Sequence, residues 1–487
     1  MSLFQPADPI THSPHGEHPV DVVIMAAGKG TRMKSRLPKV LQRLAHVPLV
    51  QHVLATAQQL QARSAVVITG HGAGQVEAAL SPLAGTLALK FVRQEPQLGT
   101  GHAVQQAVPA LGDDGVVVVL SGDVPLTQAD TLQALIALCA GQHLALLTID
   151  LPDPSGYGRV VRAGDAVSAI VEHKDASAQQ RAITEIYSGI MAVPAALLKV
   201  WLARLDNRNA QGEYYLTDIV KFAVQDGVRV LAQKTTDAVQ VAGINSPVQL
   251  AELERAYQRR QALALMEAGV RLADPARLDI RGRLTCGTDV EIDVNCIFEG
   301  AVSLGDGVTI GAHCVLANCT IEAGAVIHPF THIDGGALGV QVGEGALVGP
   351  FARLRPGAQL GAQVHIGNFV EVKNSTLAAG AKANHLAYLG DGSVGARANI
   401  GAGTIFCNYD GFDKAETHVG EGAFIGSDSA LVAPVSVGAG AYVGSGSVIT
   451  EDVAPDALAL ARGRQVEKPG WAARFRAGKA AKKAGEP

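Results

Sequence analysis

The sequence lacks a marked excess of charge of either sign. Its 487 residues include 40 Lys and Arg and 45 Asp and Glu, so the formal net charge is −5, and 17% of the residues are charged. Nucleic-acid-binding domains usually carry a strong basic excess, so we expect no nucleic-acid partner for the body of the chain. At roughly 100–200 residues per domain, the length predicts two or three domains, each large enough to bury its own core.

Long apolar runs and closely spaced cysteines are also missing. No apolar stretch approaches the roughly 18 residues that a membrane-spanning helix requires, and the N-terminal segment has neither the apolar core nor the cationic start of a secretory signal. The six cysteines are scattered and form no Cys-X-X-Cys motif, which argues against a disulfide scaffold or a zinc site. We therefore expect a cytoplasmic protein without membrane insertion.

Residues 1–19 are rich in proline and predict a disordered N-terminal extension. His12, His15 and His18 are spaced three residues apart in this segment. Metal binding by these three side chains is the alternative interpretation.

Between residues 20 and 247, short apolar runs alternate with helical stretches. The predicted strands are 20–25, 65–69, 87–92, 116–120 and 144–149, and the predicted helices are 48–61, 100–111, 127–140, 194–205 and 216–224. This alternation is typical of a Rossmann-like α/β domain with a mostly parallel sheet. Segments 158–161 and 166–172 predict a hairpin inserted into that domain.

A linker helix is predicted over residues 248–268, where the first domain ends. Ser246 is a suitable N-cap, Pro247 suits the first helical position, and Gly269 suits the C-terminal cap.

From residue 269 to 460 the sequence changes to a period of six. An aliphatic residue followed by glycine recurs, as in Ile310-Gly311, Ile366-Gly367 and Ile425-Gly426. This pattern is the signature of a hexapeptide-repeat parallel β-helix, and about 18 residues per coil predict roughly nine or ten coils. Residues 461–487 form a basic tail, which we expect to fray.

A loop of small residues follows the first predicted strand. It reads Ala26-Ala27-Gly28-Lys29-Gly30-Thr31-Arg32-Met33, and small residues after a strand let backbone N–H groups approach phosphate oxygens. The spacing matches neither a Walker A motif nor a dinucleotide-binding fingerprint. Taken alone, the loop fits a phosphate site and a tight structural turn equally well.

Two further segments favour a ligand site in this domain. Gln94 and the stretch Gln97-Leu98-Gly99-Thr100 form a second loop that opens a predicted helix, and Asp123 ends a central strand. Open α/β sheets bind ligands at the carboxyl ends of their strands. Mg²⁺ commonly takes one or two protein oxygens and completes its shell with phosphate and water, so Asp123 is a candidate ligand.

The β-helix region has few cations, which makes each cluster informative. Arg355 and Lys373 are 18 residues apart, one predicted coil, so they should stack as a phosphate site; two independent solvated charges are the alternative. His385 lies 12 residues beyond Lys373. A base that takes a proton from an ammonium group needs a pKa near neutrality, which suits histidine, although a lone histidine is more often structural.

Taken together, these motifs resemble known enzymes. The first part of the chain resembles the nucleoside-diphosphate-sugar pyrophosphorylase family. Residues 20–471 resemble the bifunctional family that fuses N-acetylglucosamine-1-phosphate uridyltransferase to glucosamine-1-phosphate N-acetyltransferase. The motifs that carry the resemblance are AAGKGTRM, LPKVL, QLGTGHA, GDVPL, GYGRV, IVEHKDA, NAQGEYYLTDI, PFARLRPGA, GNFVEVK, NHLAYLGD, NIGAGT, CNYDG and GSD.

The resemblance implies an enzyme of UDP-N-acetylglucosamine biosynthesis, which supplies peptidoglycan and lipopolysaccharide precursors. The C-terminal domain would acetylate glucosamine-1-phosphate with acetyl-CoA. The N-terminal domain would transfer UMP from UTP to N-acetylglucosamine-1-phosphate and release pyrophosphate. The resemblance further implies Mg²⁺ as the cofactor, a left-handed β-helix, and a homotrimer formed through that β-helix.

For uridyl transfer, the resemblance implies that Arg32 and Lys39 act in catalysis and that Asp123 and Asn245 hold Mg²⁺. Tyr187 stands where the family usually has Asn, so its contact with the sugar is open. The implied contacts to UTP and the UDP-sugar are Met25, Ala26, Ala27, Gly28, Lys39, Gln94, Gly99, Thr100, Ser121, Gly122, Asp123, Gly158, Glu172, Tyr187 and Asn245.

For acetyl transfer, the resemblance implies His385 as the catalytic base. The implied contacts to glucosamine-1-phosphate are Arg355, Lys373, Tyr388 and Asn399. The implied contacts to acetyl-CoA are Ala402, Asn408, Tyr409, Ser427, Ser445 and Arg462.

Two other functions stay open at this point. One is a single-activity sugar-1-phosphate nucleotidyltransferase in which the β-helix is only a scaffold. The other is non-enzymatic, since exchange-factor subunits of translation share this domain pairing. Loss of Arg32, Lys39 and Asp123 would support the latter, and all three residues are present.

Overall fold

The computed structural model describes residues 18–83, 85 and 87–484, and the chain divides into two compact units. The first unit ends at Gln261 and the second begins at Ala262. His12 and His15 of the predicted N-terminal extension lie outside the described residues.

The first unit is built on one mixed sheet. Its central strand, Val20–Met25, pairs in parallel with Ser64–Thr69 and Val116–Ser121. Glu185–Pro194 runs antiparallel to both of its neighbours. The order across the sheet is Val230–Lys234, Leu144–Asp150, Glu185–Pro194, Val116–Ser121, Val20–Met25, Ser64–Thr69 and Ala88–Arg93.

Helices and apolar cores flank both faces of this sheet. Val22 and Ile24 belong to one core and Val23 to the other, as the alternation of side chains along a strand requires. The α-helices are Leu49–Gln59, Ala73–Leu80, Thr100–Ala107, Ala129–Cys139, Ala178–Arg181, Ala195–Ala203, Ile219–Gln225 and Ala238–Val241. The 3-10 helices are Thr31–Met33, Lys39–Leu41, Ser81–Leu83, Val108–Ala110 and Leu216–Asp218, and a short ribbon joins Arg43–Leu44 to Val47–Pro48.

The five predicted strands are confirmed to within one residue at each end. The predicted hairpin is also confirmed, as Arg159–Ala163 paired with Ala166–Val171. The sequence did not predict the strand Glu185–Pro194. Ser188 and Gly189 interrupt its apolar pattern, and its register with the neighbouring strand shifts at this point.

The linker helix spans Pro247–Glu267. The Ser246 hydroxyl accepts a hydrogen bond from the Gln249 N–H at 3.3 Å, so Ser246 caps the helix as predicted. Gly269 follows the helix with φ of +98°, a conformation that favours glycine.

The second unit is a parallel β-helix. Residues that pair between successive coils are mostly 17 or 18 positions apart, as in Val348 with Ile366 and Ile366 with Ala383. Ile400 pairs with Ile425, so an insertion lengthens that coil. The strands are Arg271–Leu272, Leu278–Cys286, Glu291–Ile292, Cys296–Leu304, Thr309–Ile310, Val315–Ile321, Val326–Ile327, His332–Asp334, Val340–Val342, Leu347–Val348, Arg353–Leu354, Gln359–Leu360, His365–Asn368, Glu371–Leu377, Lys382–His385, Tyr388–Val394, Asn399–Ile400, Ile405–Cys407, Thr417–Val419, Phe424–Ile425, Ala430–Val432, Val435–Val437, Tyr442–Val443, Val448–Ile449 and Leu458–Ala459.

The interior of the β-helix is a continuous apolar column. The aliphatic residue of each hexapeptide is buried, as the period predicts. Cys296, Cys314 and Cys319 lie in the same column, and burial raises the pKa of Cys314 to about 12. A buried thiol that stays protonated is a packing residue rather than a nucleophile.

The basic tail, which the sequence predicts to fray, contains a regular element whose described side chains are exposed. Trp471–Ala484 is an α-helix, and Gly470 precedes it with φ of +75°. Six of the residues in this helix are alanine, the residue with the highest helix propensity. In the part of the chain that the structure describes, no helix has the length and apolar character that crossing a membrane would need.

Candidate active sites

The two predicted phosphate loops of the first unit are joined by a side chain. The Ala26 N–H donates to the Ile68 carbonyl at 2.9 Å, which holds the first loop against the sheet. The side-chain amide of Gln97, in the second loop, donates to the Ala27 carbonyl at 2.5 Å. Gln97 was not among the predicted site residues, although it lies in a motif that carries the resemblance.

The first loop needs glycine at one position and leaves space at another. Gly30 has φ of +59°, and a Cβ atom there would lie 2.5 Å from the Cβ of Lys39. Only glycine therefore fits this turn. A Cβ atom at Gly28 would have no neighbour within 4 Å, so the loop borders open space wide enough for a ligand to approach its backbone.

The second loop is fixed by its contacts with residues 214–216. The buried Gln94 donates its side-chain amide to the Gly99 carbonyl at 2.9 Å. Gly99 has φ of +107°, and a Cβ atom there would lie 2.7 Å from the Tyr214 carbonyl oxygen. The Thr100 hydroxyl accepts from the Leu216 N–H at 3.1 Å. The conformation of this loop therefore depends on its contacts with residues 214–216, which are more than 100 positions away in the sequence.

Three predicted residues meet where the central strands end. The Lys39 ammonium donates to the Asp123 carboxylate at 2.5 Å and to the amide oxygen of Asn245 at 3.0 Å. The Ile244 N–H donates to the Asp123 carbonyl at 2.9 Å, which brings the neighbouring Asn245 to this edge. The carboxylate of Asp123 and the amide oxygen of Asn245 therefore both face the position that the Lys39 ammonium occupies.

The remaining predicted residues of this edge differ in exposure. Met25 and Ser121 are register partners, and the Gly122 N–H donates to the Met25 carbonyl at 2.9 Å. These contacts place all three residues beside Asp123. Arg32 lies in the 3-10 turn of the first loop and is exposed, so its guanidinium is available to a ligand.

The buried hydroxyl of Tyr187 belongs to the group of residues that are predicted to contact the sugar. The Glu172 carboxylate accepts from the Thr217 hydroxyl at 2.9 Å, and burial raises the pKa of Glu172. The Tyr187 N–H donates to the Gly158 carbonyl at 3.0 Å. The hydroxyl of Tyr187 is buried and has no hydrogen-bond partner among the described residues. Burial, with the charge of Glu172, raises the pKa of Tyr187 well above its usual value.

In the second unit, the predicted cation pair lies in adjacent coils. Arg353 pairs in register with Glu371, and the Arg355 N–H donates to the Val372 carbonyl at 2.8 Å, so Arg355 is next to Lys373. The Arg355 guanidinium donates to Glu371 at 2.8 Å.

Lys373 also has an unpredicted cationic neighbour. The Lys414 amine, followed by burial and by the charge of Arg355, lowers the pKa of Lys373, while Asp391 acts in the opposite direction. Three like charges this close together favour an anionic ligand between them. Lys414 lies in the insertion that lengthens the coil after Ile400, where the period of six is lost.

Asp391 connects three coils around this cation cluster. Its carboxylate accepts from the side-chain amides of Asn374 at 2.7 Å and Asn408 at 2.6 Å, and it lies 3.6 Å from the Lys373 ammonium. Burial alone would raise the pKa of Asp391, but the hydrogen bonds and Lys373 lower it overall. Asp391 therefore stays ionised and fixes the positions of Lys373 and Asn408.

His385 is oriented by a residue one coil earlier. Its Nδ1 lies 3.0 Å from the side-chain oxygen of Asn368, and the two residues are register partners. An amide oxygen only accepts, so this contact favours the neutral tautomer with the proton on Nδ1, in which Nε2 is the nitrogen that can accept a proton. The Tyr388 hydroxyl accepts from the Asn408 side chain at 3.5 Å, which joins Tyr388 to the same network.

The predicted acetyl-CoA residues form a column across successive coils. The Ala402 carbonyl accepts from the Asp428 N–H at 2.7 Å, and the Ser427 carbonyl accepts from the Gly446 N–H at 2.8 Å. The Ser445 carbonyl accepts from the Arg462 guanidinium at 2.7 Å. Ser427, Ser445 and Arg462 are exposed, so the column is accessible from outside the β-helix.

Two other predicted residues border this column. Asn399 is half-buried and pairs in register with Phe424. Tyr409 is exposed, and its hydroxyl donates to the Gly411 carbonyl at 2.6 Å.

Comparison with known proteins identifies both halves of the chain. A family model described as the MobA-like NTP transferase domain matches residues 22–186. A model described as the bacterial transferase hexapeptide (six repeats) matches residues 339–374 and 416–451. These ranges include Asp123 in the first unit and Arg355, Lys373, Ser427 and Ser445 in the second, whereas Asn245 and His385 lie outside them.

Curated relatives match nearly the whole chain. A protein of Polaromonas naphthalenivorans is 71% identical over 462 residues, and one of Paracidovorax citrulli is 67% identical over 462 residues; each match covers 93% of this chain and 98% of the relative. A protein of Herminiimonas arsenicoxydans is 54% identical over 452 residues with the same coverage. Each of these relatives is named Bifunctional protein GlmU.

Proposed function

Because the chain belongs to the bifunctional GlmU family, we propose that each of its two units carries one of two consecutive transferase activities. The second unit acetylates glucosamine-1-phosphate with acetyl-CoA. The first unit transfers UMP from UTP to the resulting N-acetylglucosamine-1-phosphate, which gives UDP-N-acetylglucosamine and pyrophosphate. The observation that carries this assignment is that predicted polar side chains come together in each unit: Lys39, Asp123 and Asn245 in the first, and Arg355 and Lys373 in the second.

A divalent metal, Mg²⁺ in our proposal, fits the edge of the sheet in the first unit. No group of three or more His, Cys, Asp and Glu side chains among the described residues is arranged to hold a metal. Asp123 and Asn245 instead offer one carboxylate and one amide oxygen around a cationic position. Mg²⁺ prefers such hard oxygen donors and completes its shell with phosphate and water. When bound, it would neutralise charge on the phosphates of UTP.

The residues of the first unit position two phosphate groups for in-line attack. The backbone of residues 25–28, with Gln94, Gly99 and Thr100, holds UTP, and Arg32 and Lys39 offset its negative charge. An oxygen of the sugar phosphate attacks the α-phosphorus while the bond to the β-phosphate breaks, so pyrophosphate leaves. Such transfers depend on positioning and charge neutralisation rather than on a covalent nucleophile. Gly158, Glu172 and Tyr187 hold the sugar.

The residues of the second unit prepare an amine for attack on a thioester. Arg355, Lys373 and Lys414 bind the phosphate of glucosamine-1-phosphate, with Tyr388 and Asn399 on the sugar. Nε2 of His385 takes a proton from the ammonium group. The freed amine attacks the thioester carbonyl, a C–N bond forms and the C–S bond breaks, and the departing CoA thiolate takes up the second proton that the nitrogen loses. Ala402, Asn408, Tyr409, Ser427, Ser445 and Arg462 hold acetyl-CoA.

We also propose a homotrimer formed through the β-helix. His313, Phe330, Phe351 and Phe369 stack along one corner, with ring centroids 4.9, 4.9 and 5.5 Å apart. Phe330, Phe351 and Phe369 are each about half exposed, and the exposed Leu386 follows them beside His385. A continuous exposed apolar column of this size fits a second copy of the chain better than water.

Separate substitutions of Asp123 and His385 test whether each unit carries one of the two activities. We expect Asp123→Ala to abolish uridyl transfer and to leave acetyl transfer intact, and His385→Ala to do the reverse. A folded variant that loses both activities would contradict independent sites. A His385→Ala protein with full acetyl transfer would contradict the proposed role of His385 as the base. Since UTP and acetyl-CoA are intracellular metabolites, we propose that the enzyme works in the cytoplasm.

A further inference from the structure

Two stacked aromatic side chains lie exposed on the coils that carry the proposed acetyl-CoA residues. Phe424 and Tyr442 are register partners in adjacent parallel strands. Their ring centroids are 5.3 Å apart and their planes are 23° from parallel. The side chains are 41% and 57% exposed. Nothing in the described chain covers the outer faces of this pair, although aromatic rings are only 4% of the sequence.

The pair runs beside the acetyl-CoA column over the same two coils. Phe424 is three residues before Ser427, and Tyr442 is three residues before Ser445. Gly426 and Gly444 lie between them. The two rows are therefore separated by a strip of backbone without side chains. Such a strip leaves N–H and C=O groups next to any molecule that lies between the rows.

The row that contains Phe424 and Tyr442 continues in both directions along the β-helix. Asn399 pairs with Phe424 on one side, and the exposed Leu458 pairs with Tyr442 on the other. Successive parallel strands are about 4.8 Å apart, so the three steps from Asn399 to Leu458 span about 14 Å. This length is comparable to the extended pantetheine arm of CoA. The polar Asn399 lies at the end where the acetyl group must react, and Arg462 lies at the end suited to the phosphates.

We propose that Phe424 and Tyr442 form the wall of the acetyltransferase site that binds the pantetheine arm of acetyl-CoA. This inference rests on the proposed acetyl transfer. The methylene and dimethyl groups of pantetheine pack on the exposed rings, while its two amides face the glycine strip and the serines. The serines and Arg462 supply polar contacts, so the aromatic pair supplies most of the apolar contact area for the arm.

The test compares two thioesters in steady-state kinetics. In Tyr442→Ala and Phe424→Ala we expect the KM for acetyl-CoA to rise about tenfold while kcat stays within about twofold. S-acetylpantetheine shares the arm but lacks the nucleotide, so its KM should rise by the same factor. The KM for glucosamine-1-phosphate and the rate of uridyl transfer should not change. Tyr442→Phe keeps the ring and should behave like the original protein.

Several results would overturn the inference. An unchanged KM for acetyl-CoA in both alanine variants would show that the rings do not touch the arm. A rise in KM for acetyl-CoA with an unchanged KM for S-acetylpantetheine would indicate that the rings contact the adenine instead. Dissociation of the oligomer with unchanged KM would make the pair a subunit contact. Leu338→Ala, which removes an exposed apolar side chain from another coil, is the control. Absence of acetyl transfer in the unaltered protein would instead refute the proposed function.

Discussion

The ammonium of Lys39 lies 2.5 Å from the Asp123 carboxylate and 3.0 Å from the amide oxygen of Asn245. Lys39 therefore occupies the position on which the two proposed metal ligands converge. A divalent cation and an ammonium group cannot share that position, because both are positive and both need the same oxygens. Metal binding must therefore move Lys39 away, and we expect its ammonium then to contact the phosphates of UTP.

Lys39→Ala is accordingly expected to bind Mn²⁺ more tightly than the unaltered protein when no nucleotide is present. An increase of about tenfold in affinity corresponds to about 1.4 kcal/mol, a modest value for removing one competing charge. Electron paramagnetic resonance titration with Mn²⁺ measures this without any turnover. Lys29→Ala, in the same loop and exposed, is the control. Equal or weaker binding by Lys39→Ala would contradict the competition.

Tyr187→Phe separates a structural role of this side chain from a role in sugar binding. The Tyr187 hydroxyl is buried without a partner among the described residues, so removing it should cost no stability and should gain up to about 1 kcal/mol. If the hydroxyl is reserved for the sugar, the KM for N-acetylglucosamine-1-phosphate should rise several-fold while the KM for UTP stays constant. Urea unfolding and initial rates give the two quantities. A stable variant with unchanged kinetics would remove Tyr187 from the site.

Asp391→Asn should make phosphate binding in the second unit more sensitive to pH. The carboxylate of Asp391 raises the pKa of Lys373, against the lowering by Lys414, burial and Arg355. Without the negative charge, the pKa of Lys373 falls further, so its ammonium loses a proton at lower pH. The KM for glucosamine-1-phosphate should then begin to rise at lower pH than in the unaltered protein. Superimposable profiles of KM against pH would show that Lys373 does not bind the phosphate.

Phe351→Ser should weaken the homotrimer. Phe351 lies in the middle of the aromatic corner and stacks on Phe330 and Phe369. Light scattering after size-exclusion chromatography should show smaller species at low concentration, with uridyl transfer retained. Leu338→Ser alters a more exposed apolar residue outside the corner and should leave the mass unchanged. A Phe351→Ser protein that remains a trimer would place the subunit contact elsewhere.

The sequence was most informative where the fold is periodic. In a β-helix, sequence separation translates into spatial position, so the 18-residue spacing of Arg355 and Lys373 was enough to place them in adjacent coils. The position of Lys414 could not be predicted from spacing because this residue lies in an insertion where the period of six is lost. Asp391 escaped this reasoning because a buried carboxylate was not expected in a column of aliphatic residues, although Asn374 and Asn408 are each 17 positions away.

The site in the first unit could not be derived from spacing. Asp123 and Asn245 are more than 100 residues apart, and tertiary contacts such as the hydrogen bond from the Ile244 N–H to the Asp123 carbonyl bring them together. The resemblance to a known family named both residues, whereas the local pattern identified Asp123 alone. The link from Gln97 to Ala27 was missed because a glutamine in a loop has no periodic signal.

The most direct test of the central claim is to identify the products by mass. The purified protein is incubated with glucosamine-1-phosphate, acetyl-CoA and Mg²⁺, and UTP is added to half of the sample. We predict free CoA and N-acetylglucosamine-1-phosphate in both halves, and UDP-N-acetylglucosamine only where UTP is present. Uridylation of supplied N-acetylglucosamine-1-phosphate without any acetyl transfer would contradict two activities in one chain and would reduce the β-helix to a scaffold.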